Sequence, residues 1–185
     1  MLLVHRGRGG TAAGVIVETE GYTGSGDPGS HACRGLKVRN APMFGPPGRA
    51  YVYKCHLYPL LNVVTEKKGI PGAVLLRGLE PVAGIGLMRA RRGNPRNDPE
   101  IANGPGKLCQ AMGVGLGHNR ADLVNGPLHL AVPPRRREVR VGRSTRIGLR
   151  GPAAILPWRF FVRGNPFVSR HPQENNHLLR RPTRP

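Results

Sequence analysis

The sequence predicts a loop-rich domain of the β or α+β class, and three observations lead there. The chain has 185 residues, 38% of them hydrophobic, enough for one domain with a buried core. Glycine (27) and proline (19) are both more frequent than in an average protein, which disfavours a helix bundle. The apolar residues fall in short runs rich in Val, Leu and Tyr, bounded by Gly and Pro, as strands are.

Taken in order, residues 15–20 read as a strand with Ile16, Glu18, Glu20 and Tyr22 on one face and Val15, Val17 and Thr19 on the other. Residues 23–50 are punctuated by Asp27-Pro28-Gly29 and Gly45-Pro46-Pro47-Gly48. They form a long irregular segment of the kind that usually carries function. Core strands are predicted at 50–55, 60–65 and 73–77. A helix is expected from Glu80, with Pro81 in its first turn and Leu79, Val82, Ile85 and Met88 at helical spacing. Asn103 is an N-cap for a short helix through Lys107 and Met112. Further strands are expected at 128–132, 145–149 and 158–163, with a solvated basic loop at 133–144. Residues 1–170 make one domain, and 171–185 read as a disordered tail.

A net charge of +19, from 29 basic and 10 acidic residues, makes nucleic acid the first partner to consider. Only five of the basic residues are lysines, and a general bias toward Arg, Gly, Ala and Pro accounts for part of the excess. No basic amphipathic helix or membrane-length apolar run occurs, so a membrane partner is not expected. Cys33, Cys55 and Cys109 are odd in number and lack C-x-x-C spacing. They read as buried, reduced thiols of a cytoplasmic protein, with no metal and no cofactor implied.

Glu18 and Glu20 are two of few carboxylates, and carboxylates add nothing to phosphate binding. By spacing alone they would be ion-paired or exposed residues. Tyr22, two residues on, changes that balance, because a flipped base needs a stacking ring beside the group that handles its sugar. Tyr51 and Tyr53 share a strand face, and at least one should be core. The string 104–108, Gly-Pro-Gly-Lys-Leu, lacks the nucleotide-triphosphate pattern and reads as a helix N-terminus open to a DNA phosphate.

Several strings together resemble the alkyladenine (3-methyladenine) DNA glycosylases of bacterial type. They are Val17-Glu18-Thr19-Glu20-Gly21-Tyr22, His31-Ala32-Cys33-Arg34-Gly35, Arg39-Asn40, Met43-Phe44-Gly45-Pro46-Pro47-Gly48 and Tyr51-Val52-Tyr53. Residues 60–65, Leu75-Leu76-Arg77, Leu79-Glu80-Pro81, 103–110, Phe161-Val162-Arg163-Gly164 and Pro166 continue the match in order. The resemblance runs from about residue 14 to about residue 169.

The resemblance implies an α+β domain with a curved, open-barrel-like antiparallel sheet flanked by helices. It implies a monomeric repair enzyme that excises alkylated or deaminated purines from double-stranded DNA without a cofactor. It makes Glu20 the general base. Tyr22, His31, Tyr53, Asn62 and Arg77 become pocket residues, and Met43, His56, Tyr58 and Lys107 DNA contacts. The family's duplex-wedging tyrosine is replaced here by His56, so His56 and Tyr58 are both candidates for the wedge. Gly21 and Gly78 stand where the family usually has alanine, Lys37-Val38 where it has Thr-Pro, and only thirteen residues precede Gly14. Scarce lysines favour hydrolysis by water over strand-cleaving lyase chemistry. A damaged-DNA-binding relative of weak activity and a basic RNA-binding protein are the competing readings. The last gives no reason for Glu20 beside Tyr22.

Overall fold

The spine of the fold is β2 (Gly10–Tyr22), and the sequence around it forces the neighbours it has. The computed structural model describes residues 1–170 apart from 134, 136 and 137. The tail at 171–185 and three positions of the basic loop lie outside the described residues. β1 (Leu2–Gly7), not foreseen in the sequence, turns through Arg8-Gly9 and pairs with the first half of β2, Leu2 opposite Val15. β5 (Ala73–Ala83) pairs along the other side of β2. β3 (Ala50–Cys55) and β4 (Tyr58–Val64) form a hairpin that continues the sheet from β5. β6 (Leu128–Ala131) closes the far side on β1. β8 (Arg159–Val162) pairs with β2 over Glu18–Glu20, and β7 (Val141–Ser144) pairs with β8. Every pairing is antiparallel. The result is the expected α+β domain, a curled half-barrel sheet with helices packed on it.

Strand alternation separates two clusters. Ala50, Val52 and Leu61 join Leu79, Met88, Leu108 and Met112 in the main core. There α2 (Pro105–Met112) lies on β4 and β5, and α1 (Ile85–Arg91) on α2 and β2. Tyr51, one residue out of step with Ala50 and Val52, joins Ala32, Met43 and Val64 in a smaller cluster. The β2 register shifts between Ile16 and Glu18 and again between Glu18 and Thr19. Ile16 therefore packs against the main core, whereas Glu18 and Glu20 both reach Arg77. The four-residue common face expected from 16 to 22 is broken at that bulge.

Other expectations are corrected. Residues 80–83 are strand, not helix: Glu80 and Pro81 pair with Val15 and Gly14. The helix starts only after Gly84, which has φ 69° and lies so close to the β1–β2 hairpin that a Cβ would meet the Thr11 carbonyl at 2.2 Å. α2 is capped by Gly104 rather than Asn103, without a side-chain cap bond. Residues 145–149 are not a strand, and the last four of the expected basic loop are β7. Only Cys109 is fully buried, its thiol pushed up to about 12 by that burial; Cys33 and Cys55 are half-buried, and all three are free.

The irregular segment before β3 is tied to the loop after β7 by a buried ion pair. The Arg146 guanidinium donates to both Asp27 oxygens at 2.7 and 2.6 Å, and the Thr23 and Gly29 amides donate to the same carboxylate at 3.2 and 2.9 Å. Burial pushes the Asp27 carboxyl up, but the Arg146 and amide hydrogen bonds outweigh it and hold it below the usual range. Breaking such a pair strands a buried charge. Asp27→Asn should cost about 3–5 kcal/mol of stability, read by urea denaturation.

Candidate active site

Glu18 and Glu20 sit two residues apart in sequence but have different surroundings. Glu18 accepts from Arg77 Nε (3.2 Å), Arg159 Nε (2.7 Å), and the Ser169 amide (2.7 Å) and hydroxyl (2.5 Å). Four donors fill a carboxylate's capacity, so Glu18 is structural. Gly78 opposite it makes this approach possible. A Cβ at 78 would meet the Phe167 carbonyl at 2.7 Å and the Glu18 Cβ at 3.0 Å, whereas Gly21 has room for one.

Glu20 is wholly buried (0% exposed) and keeps capacity in reserve. Its Oε2 accepts from the Tyr22 hydroxyl (2.8 Å) and Arg77 Nη1 (3.3 Å), and its Oε1 accepts from the Ile147 amide (2.7 Å). Three of roughly four acceptor positions are filled, leaving one on Oε1.

Tyr22, which bonds this carboxylate, lines an open pocket. Tyr22, His31 and Tyr53 supply aromatic walls, joined by Tyr51, Met43 and Asn62. The rings brace one another: His31 meets Tyr53 edge-on with centroids 4.5 Å apart, and Tyr51 and Tyr53 lie 5.2 Å apart. His31 Nδ1 and the Tyr51 hydroxyl share a 2.8 Å hydrogen bond. The buried Asn40 side-chain amide donates to the His31 and Gly35 carbonyls, which fixes the loop carrying His31. Asn62 donates to the Tyr51 carbonyl at 3.1 Å. Burial lowers the His31 pKa, assisted by Arg39, so the ring is neutral at neutral pH. Burial also raises the Tyr22 and Tyr53 hydroxyls well beyond their usual range, Glu20 adding to the shift of Tyr22, and raises Tyr51 to about 12.

A model of the methylpurine-DNA glycosylase family matches residues 1–166 of the chain. The chain belongs to that family. It is similar to a protein of Methanoculleus marisnigri, 48% identical over 91% of this chain and 88% of the relative. A relative in Chlorobaculum tepidum is 44% identical over 90% and 79%, and one in Rubrobacter xylanophilus 48% over 84% and 80%. Each bears the name "Putative 3-methyladenine DNA glycosylase". The protein is thus a DNA glycosylase, a hydrolase of N-glycosyl bonds in the repair of alkylated bases.

The structure of this glycosylase gathers Tyr22, His31, Tyr53 and Asn62 around one pocket and sets Glu20 and Arg77 behind it, linked through the Tyr22 hydroxyl. Met43, expected at the duplex surface, is 2% exposed and lines the pocket instead. His56 forms the two-residue turn of the β3–β4 hairpin with Leu57 and carries φ 52°. Tyr58 is 44% exposed but packs on α2, where a Cβ at Gly106 would meet its side chain at 2.9 Å. The freely projecting tip is Leu57, 77% exposed, which the sequence reading passed over. Lys107 donates to Asn103 at 2.9 Å beside the α2 N-terminus. Ile147 and Arg146 were also missed, for they stand more than 120 residues beyond β2 in a segment read as strand. Among the described residues no three His, Cys, Asp or Glu gather as a metal group, and no helix is long and apolar enough to cross a membrane.

His5 shares the behaviour of His31: burial lowers its pKa despite the bond to the Met112 carbonyl, with His118 and Arg91 adding to the effect. The unfolded chain takes up both protons near 6.5, the folded chain only at lower pH. Stability is therefore full above 6.5 and should fall as pH drops through the window beneath it. Thermal melts across that range should show a fall that His5→Phe and His31→Phe each reduce.

Proposed function

We propose that the enzyme flips alkylated or deaminated purines, among them 3-methyladenine, hypoxanthine and ethenoadenine, out of double-stranded DNA and hydrolyses their N-glycosidic bond with water activated by Glu20. The observation that carries this reading is the buried Glu20 carboxylate behind an aromatic pocket, with one acceptor position left on Oε1. Departure of a purine builds positive charge on the sugar. A carboxylate shielded from solvent stabilises that charge and takes a proton from water, worth about 10²–10⁴-fold in rate.

The base stacks among Tyr22, His31 and Tyr53. Asn62 discriminates by its amide, and the neutral His31 presents a polar edge without repelling a charged alkylated ring. The basic surface supplies salt-dependent, sequence-independent affinity for phosphates, Lys107 at the α2 N-terminus among its contacts. Among the described residues no lysine hydrogen-bonds Glu20, which supports hydrolysis without a lyase step.

At the hairpin tip His56 and Leu57 enter the space the base leaves, while Tyr58 braces the hairpin on α2. Leu57 takes the wedge role expected of His56 or Tyr58.

Single-turnover excision on duplexes carrying hypoxanthine, ethenoadenine or no lesion tests the chemistry. The damaged base alone should be released, leaving an intact abasic strand until alkali is added. Glu20→Gln should lower the rate by about 10²–10⁴-fold. Release of neither base, nor of 3-methyladenine from alkylated DNA, would overturn the reading. Leu57→Gly should slow excision from a well-paired lesion by about tenfold more than from a mispaired one, because flipping costs least where pairing is already weak.

A further inference from the structure

We infer that Arg146 is the positioning residue of this active site, holding the stacking ring and the general-base carboxylate in one fixed relation. The inference rests on the proposed roles of Tyr22 and Glu20.

Arg146 is 2% exposed. Its guanidinium carbon lies 4.5 Å from the Tyr22 ring centroid and 5.4 Å from that of Trp158. Tyr22 lines the pocket and Arg146 does not, so the guanidinium covers the ring face turned away from the base. The same group donates to the Gly21 carbonyl at 2.9 Å, between Glu20 and Tyr22, and to the Ala153 carbonyl at 3.2 Å. The next residue, Ile147, donates its amide to Glu20 Oε1 at 2.7 Å. Two consecutive residues from a distant segment thus fix the backbone between Glu20 and Tyr22, the outer face of Tyr22 and one oxygen of Glu20.

The arrangement is not the one that best satisfies Arg146 itself. Among the described residues its buried Nε meets no hydrogen-bond acceptor. Its pose is set by the rings and by Asp27, which anchors both Nη groups and is itself held by the Thr23 and Gly29 amides. The carboxylate that activates water and the ring that stacks the base beside it are held by one clamp. Small misplacements between such groups are costly to chemistry and cheap to binding.

Arg146→Lys and Arg146→Met test this on the full chain, each first shown folded by its circular dichroism melt. Single-turnover excision of hypoxanthine at saturating enzyme should fall about 10²-fold in Arg146→Met and less in Arg146→Lys, while affinity for a duplex with a tetrahydrofuran abasic analogue stays within about threefold. A folded Arg146→Met variant that keeps the wild-type rate overturns the inference. So does a rate that falls only in step with binding. If neither variant folds, Trp158→Leu carries the test. It frees the guanidinium's outer face and leaves the Asp27 pair intact; a reduced rate with unchanged abasic-analogue binding supports the inference, and an unchanged rate overturns it. Wild-type enzyme that excises nothing would instead count against the glycosylase roles of Glu20 and Tyr22.

Discussion

Arg77 is shared between two buried carboxylates, and much of the molecule hangs on that sharing. Its Nε meets Glu18 and its Nη1 meets Glu20. Glu18 in turn receives Arg159 and Ser169, so residues from β2, β5, β8 and the segment after β8 converge on one point. Such networks add little net stability over a hydrophobic replacement, because desolvation opposes the Coulomb gain. What they supply here is exclusivity. A strand register that separated any of these partners would leave an ionised group buried alone. The β2 bulge, which turns Glu18 and Glu20 toward Arg77, is held in place by this requirement.

The charge distribution follows the same logic. Of ten acidic residues, Glu18, Glu20 and Asp27 are fully buried, each against an arginine. Removing these carboxylates from the surface leaves an exterior dominated by positive charge, suited to a polyanion. The interior keeps the few negative groups that chemistry and architecture need. Glycosidic cleavage asks for a carboxylate close to DNA, where phosphates would repel it. In the mechanism proposed above, a buried Glu20 held by Arg77, Tyr22 and the Ile147 amide meets that demand.

How much of this was legible in sequence varied with the range of the interaction. The core strands at 50–55 and 60–65 were readable because alternation and composition are local, and Tyr51 turned out to be the buried core tyrosine. The aromatic pocket was legible only through the resemblance: no spacing rule links His31 to Tyr53. The helix expected from Glu80 failed because a stretch of β5 also places apolar residues at positions that fit a helical stripe. Gly84, fitted against the Thr11 carbonyl, decided where the strand ended. Arg146 was illegible for a different reason. Its partners lie 119 and 125 residues away, and one arginine among many carries no mark of being buried.

The packing of Tyr58 on Gly106 also bears on how the protein meets a sound duplex. With no side chain at 106, the β3–β4 hairpin lies directly on the first turn of α2, whose Leu108 and Cys109 are sunk in the main core. Load applied to Leu57 passes into that core rather than into a hinge. In the wedge role proposed for Leu57, the tip acts as a stiff stylus on a rigid mount, and compliance comes from the nucleic acid. Firmly stacked steps turn it away, and weakened ones give. On that proposal, the mechanical softness of damaged DNA becomes a property the protein senses before any base has entered the pocket.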